Sequence, residues 1–107
     1  MIDSHLSSAY RESLVPFLYR AMEEHYPMCP YMDMIGPTPD EGIKDFPDWP
    51  RYSTGYAALW NCFGFTTEAH MLKPFAERVK ATYHFLDELV KYSADHARDI
   101  RKTKMKA

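Results

Sequence analysis

Six of the chain's eight prolines, Pro27, Pro30, Pro37, Pro39, Pro47 and Pro50, fall in a single stretch. Proline fixes its own φ, has no N–H to donate, and drives the residue before it out of the helical region, so neither a helix nor a central strand can cross this stretch. The chain is thereby divided into a helix-forming segment, an irregular loop from Met28 to Pro50, and a structured C-terminal part. Tyr31, Met32, Met34, Ile35, Phe46 and Trp49 make the loop too apolar for a disordered spacer. Loops of such length within a compact domain are usually functional, and we expect this one to form a wall of a cleft.

Ahead of the loop, Leu14, Phe17, Leu18, Ala21 and Met22 recur at i, i+3, i+4, i+7 and i+8, one apolar stripe of a helix running to about His25. Ser13 is the expected N-cap, Pro16 then sits in the first turn, and Pro27 stops the helix. After the loop, Tyr56, Leu59, Trp60 and Phe63 follow helical spacing from Thr54, and Gly64 is placed to end that short helix. From Phe65 to Met71 the residues alternate as in a strand, so Thr66, Glu68 and His70 share one face. Pro74 opens a last helix with a stripe of Phe75, Val79, Thr82, Tyr83, Leu86, Leu89 and Val90. Beyond Lys91 the residues 91–107 are a basic tail, helical or frayed into solvent. The fold class expected is therefore a helix-dominated α/β fragment in the order helix, long loop, short helix, strand, long helix, with residues 1–107 forming a single partial domain.

At 107 residues, 46% of them hydrophobic and 15% aromatic, the chain can build one packed core. A net charge of -2 and a sequence pI near 6.2 provide no general field for nucleic acid or an anionic membrane, and neither partner is expected. No basic leader precedes the short run from Leu14 to Leu18, so no signal peptide or membrane span is expected and the compartment is open. Cys29 and Cys62 form no CxxC pair and read as buried free thiols. No HxxH, HxxE, CxxC, glycine-rich phosphate loop or GxSxG elbow occurs. The HxxD spacings at His84–Asp87 and His96–Asp99 indicate no third ligand.

Glu68 stands out on physical grounds, since the carboxyl ends of strands in open α/β sheets are where ligands sit. An exposed edge-strand face is the plainer alternative. The run from Pro50 to Asn61, Pro-Arg-Tyr-Ser-Thr-Gly-Tyr-Ala-Ala-Leu-Trp-Asn, and the run from Gly64 to Phe75, Gly-Phe-Thr-Thr-Glu-Ala-His-Met-Leu-Lys-Pro-Phe, carry a resemblance, joined by Tyr26 to Tyr31. Together they resemble the C-terminal part of the catalytic domain of zinc carboxypeptidases related to carboxypeptidase A, in a bacterial branch, over most of residues 8–90. The resemblance implies a peptide substrate and zinc as cofactor. It makes Glu68 the general base that takes a proton from a zinc-bound water and returns it to the departing amine, a division of labour that metal and carboxylate chemistry supports. It also implies a substrate-binding loop at Arg51 and Tyr52, with Tyr56 as competitor for the tyrosine's place.

The family's HxxE ligand pair and its carboxylate-clamping arginine lie upstream of the matched region and have no counterpart here. His5 has some likeness to the third ligand, but one imidazole is not a zinc site. No metal-ligand set is therefore assigned, zinc is not expected to be fully bound by this chain alone, and the chain is expected to be inactive by itself. Two readings follow: a carboxypeptidase piece completed by another chain, or a non-catalytic, helix-rich interaction module. In both, an unpaired strand at Phe65–Met71 leads us to expect a homo-oligomer or a complementary chain.

Overall fold

The computed structural model describes residues 3–45 and 48–107. Phe46, counted above with the apolar loop, lies outside them.

Three helical stretches run head to tail at the N-terminus: α1 (Ser4–Ala9), a π-helical turn (Tyr10–Leu14) and α2 (Val15–Met22). The helix thus starts well before Ser13. Its N-cap is Asp3, whose carboxylate accepts the His5 N–H at 2.8 Å. The π turn is the consequence of Pro16. An α-helical register would press the proline ring against the carbonyl four residues back. Instead the Val15 N–H reaches the Tyr10 carbonyl five residues back, widening the turn just ahead of the proline. Ser13 has a different role from capping, since its Oγ lies 2.6 Å from the Tyr92 hydroxyl, 79 residues on.

Within the proline-rich loop a two-stranded antiparallel ribbon forms, β1 (Asp33–Met34) with β2 (Ile43–Lys44), in the register Asp33 to Lys44 and Met34 to Ile43. A 3-10 turn (Pro39–Glu41) lies between them. The ribbon was not expected, and its Met34, Ile35 and Ile43 side chains are exposed.

Next comes α3 (Ser53–Leu59). Asn61, not Gly64, ends it: Asn61 takes the left-handed conformation with φ 52°. The Cys62 N–H bonds the Ala57 carbonyl and the Asn61 N–H the Ala58 carbonyl, both at 3.1 Å, a Schellman closure. Gly64 instead packs against α3, where a Cβ would come within 3.1 Å of Ala57 Cβ and Thr54 Cα.

The strand expected at Phe65–Met71 does not form; this stretch is irregular and ends in a turn at Met71 and Leu72. Phe63 and Phe65 both pack toward the core, while Thr66, Thr67 and Glu68 are exposed. Among the described residues the stretch has no ladder partner. The edge-strand argument for self-association falls with it.

Helix α4 (Phe75–Asp95) follows Pro74 as expected, and α5 (Ala97–Lys106) continues after a break at His96. The basic tail is therefore helical to Lys106 and packs beside α1, with Ile100 against the core. Among the described residues the buried core side chains are Leu6, Leu14, Leu18, Met22, Phe85 and Tyr92. The first stripe read from the sequence is thus the core face of the N-terminal helix. The α4 stripe is not: Phe75, Val79, Tyr83, Leu86 and Val90 are exposed, and Phe85, Leu89 and Tyr92 meet the core. Helix dominance holds, with the only sheet among the described residues in the proline-rich loop.

Candidate functional site

The loop before α3 and the irregular stretch after it come together. Tyr52 is extended (φ -103°, ψ 156°) as the N-cap residue of α3, and its N–H bonds the Trp49 carbonyl at 2.9 Å. The tight turn is possible because residue 55 is a glycine. A Cβ there would stand 2.3 Å from the Trp49 carbonyl oxygen and 2.5 Å from that of Asp48. Thr54 Oγ1 donates to the Asp48 carboxylate and fastens the same corner. The Arg51 guanidinium sits 5.0 Å above the Tyr52 ring, so the two residues form one exposed cationic and aromatic unit.

Across from this corner, Ser53 Oγ and Thr66 Oγ1 are 3.4 Å apart. That contact sets the Arg51–Tyr52 unit beside the stretch bearing Glu68, whose side chain is exposed. The strand face on which His70 and Glu68 were expected together does not form. The Nδ1 of His70 accepts the Leu72 N–H at 3.2 Å and the His70 carbonyl accepts the Lys73 N–H at 3.0 Å, so the residue builds the turn leading into α4. Since Nδ1 accepts, a neutral ring carries its proton on Nε2. Tyr56 is also exposed and lies edge-on to Trp60, at 6.3 Å between ring centroids, as a packing partner.

The donors a zinc ion would need are dispersed. His5 is exposed on α1. His84 faces the Ala21 carbonyl at 3.4 Å and the His25 ring at 5.3 Å, while Asp87 is held by Lys91 at 2.7 Å. His96 donates from Nδ1 to the Tyr92 carbonyl at 3.0 Å and stacks on the Tyr92 ring. Among the described residues no three His, Cys, Asp or Glu side chains are grouped as a metal site requires.

A groove of about 540 Å³ opens on the other side of Phe65, between α1, α4 and α5. Leu6, Leu14, Phe63, Leu89 and Ile100 line it, and Arg101 and Lys104 border it. Lys104 Nζ lies 3.2 Å from Cys62 Sγ, and that thiol also lies 3.3 Å from the Trp60 carbonyl. Cys29 is exposed, contrary to the buried thiol expected, and Cys62 is half-buried. None of the described residues from 28 to 50 lines this groove, so the loop is not its wall. The groove escaped the sequence reading because Ile100 stands alone among charges; only its helical spacing from Ala97 and Lys104 hinted at an inward face.

No helix among the described residues is long and apolar enough to cross a membrane. Comparison with protein-family models, with curated proteins and with solved structures returned no match.

Proposed function

We propose that this chain is the glutamate-bearing part of a carboxypeptidase-type metallopeptidase site, with Glu68 as its proton-transferring carboxylate, Arg51 and Tyr52 on the substrate side, and the metal ligands supplied from outside the chain. The reading starts from the resemblance of residues 8–90. The observation that supports it is the 3.4 Å approach of Ser53 to Thr66, which joins the segment carrying Arg51 and Tyr52 to the segment carrying the exposed Glu68. An arginine and a tyrosine on one corner suit the terminal carboxylate of a peptide, and a carboxylate open to solvent is free to exchange a proton with a bound reactant.

The test is a titration of the isotopically labelled chain, followed by NMR, with a short blocked peptide ending in a free carboxylate and with its C-terminal amide. The free acid shifts the amide signals of Arg51, Tyr52 and residues 66–68, the amide leaves them in place, and Arg51→Gln removes the response. Equal responses to acid and amide, or none, would overturn the reading.

A second reading is favoured by a separate observation, the exposure of Trp49, Trp60, Leu72 and Phe75 around a core that holds six buried apolar side chains among the described residues. On that reading the chain is a non-catalytic interaction module. It gives no carboxylate-specific response in the same titration, and its solution mass exceeds that of one chain.

A further inference from the structure

Helix α4 carries two apolar faces. Phe85, Leu89 and Tyr92 face the core, and a separate stripe of Phe75, Val79, Tyr83, Leu86 and Val90 faces away, with exposures of 72%, 50%, 71%, 53% and 67%. Met71 and Leu72, 79% and 83% exposed, lie in the turn that precedes the helix and add exposed apolar surface at its N-terminal end. The spacing of four, four, three and four residues keeps the stripe on one side of the helix for its whole length, as in a helix-pairing seam.

The area and the charges identify what covers it. With two aromatic rings among them, these seven exposed apolar side chains offer on the order of several hundred Å², the scale of the ~800 Å² that each partner contributes to a standard stable interface. Along one flank of the stripe run Lys80 and Asp87, seven residues apart and therefore nearly in line. When two copies of α4 lie antiparallel about a two-fold axis near Tyr83 and His84, Lys80 of each copy comes opposite Asp87 of the other. In a parallel two-fold pair the like flanks lie on opposite sides of the seam, so Lys80 and Asp87 of the two copies do not meet. The flank's existing pairs, Glu77 with Lys80 at 3.6 Å and Asp87 with Lys91 at 2.7 Å, are exposed, so their charges are free to be shared across such a seam.

We propose that the outer face of α4 is a self-association surface, occupied by the α4 of a second copy of this chain in antiparallel, two-fold symmetric pairing. The stripe supplies the affinity and the Lys80 to Asp87 complementarity sets the direction. This proposal does not depend on the peptidase reading, because neither Arg51 nor Glu68 belongs to the surface.

Sedimentation velocity on the full chain from about 5 to 200 μM tests it, over a range that brackets ordinary dimer affinities. The wild type is a dimer at the upper concentrations. Leu86→Glu is a monomer with unchanged far-ultraviolet circular dichroism, since Leu86 is not part of the core. Lys80→Glu weakens the dimer by about tenfold, the order set by two exposed pairs turned repulsive, and adding Asp87→Lys restores it. A wild type that stays monomeric throughout would assign the face to a different partner and overturn the proposal. So would a dimer that survives Leu86→Glu, and a dimer indifferent to Lys80→Glu would overturn the antiparallel arrangement.

Discussion

The hydrogen bond between Ser13 and Tyr92 makes an asymmetric prediction. Tyr92 is 6% exposed, whereas Ser13 lies at an exposed position on the π turn, so the two ends of the 2.6 Å contact differ in their access to water. Removing the hydroxyl in Tyr92→Phe leaves a serine that water can satisfy, and the loss is that of an ordinary net hydrogen bond, about 0.5–1 kcal/mol. Removing the serine in Ser13→Ala strands the tyrosine hydroxyl in a buried position, which costs about 1–3 kcal/mol, offset by a few tenths because alanine is the better helix former. The double variant has no stranded group and should cost no more than Tyr92→Phe, so the coupling equals or exceeds the Ser13→Ala loss, about 1–3 kcal/mol. Urea unfolding followed by circular dichroism at 222 nm resolves such a difference through the midpoint at constant slope. If Ser13 were a helix cap, its removal would cost the same about 1 kcal/mol in either background. Additivity within about 0.3 kcal/mol would therefore refute the tertiary contact.

Gly55→Ala forces a Cβ against the Trp49 and Asp48 carbonyl oxygens, both backbone atoms, so either the 48–52 corner or α3 must move. We expect a loss of about 2 kcal/mol or more in urea midpoint, together with the loss of any response of Arg51 and Tyr52 to peptide; an unchanged midpoint would contradict the close approach. Burial, followed by the nearby Tyr19, raises the Tyr10 pKa above its ordinary 10.0, and burial, followed by Cys29, raises that of Tyr19. For groups raised on folding, their contribution is complete below pH 10 and is lost as pH climbs through the raised values. Thermal unfolding should therefore weaken above pH 10, and Tyr10→Phe, whose ring still stacks on Phe65, should weaken less; equal alkaline losses in the two proteins would count against the burial of the phenol.

Local chemistry made the helices legible, but the features that depend on distant partners were hidden. Leu14, Leu18 and Met22 could be read as a core face because their spacing alone defines one, and Pro74 marked the start of α4 because a proline ends what precedes it. The expected helix start lies ten residues too late, at the cap Ser13 instead of Asp3, because Ser13 and Pro16 together imitate an N-terminus; the π turn that lets the helix run through Pro16 is a backbone adjustment without a composition signal. The stretch Phe65–Met71 has the alternation of a strand but, among the described residues, no ladder partner, and an alternation cannot reveal whether a partner is there. Of the candidate site, Arg51, Tyr52 and Glu68 were nameable from the sequence, but the contact that joins their segments, Ser53 with Thr66, spans a helix and a turn that only the fold brings back on itself.

Helix α4 shows why periodicity alone could not orient the last helix. A period of 3.6 residues locates an apolar arc but does not say what it faces, and this helix has two arcs to choose from. Contacts remote in sequence decide between them: the Phe17 ring lies 5.0 Å from Tyr92, Phe65 meets Phe85 edge-on at 5.9 Å, and Ser13 bonds the Tyr92 hydroxyl. Each is a pairing of one aromatic or polar group with a specific partner, and together they turn Phe85 and Tyr92 inward. The wider arc, from Phe75 to Val90, is then left outward. A chain evolved to stand alone with that orientation would be expected to carry polar residues there, as Lys80, Asp87 and Lys91 do on the adjoining flank. That it carries phenylalanine, valine, tyrosine and leucine instead is intelligible if the orientation chosen by the core and the surface offered to a partner are parts of one arrangement. The core then fixes α4 so that its larger apolar face is the one presented.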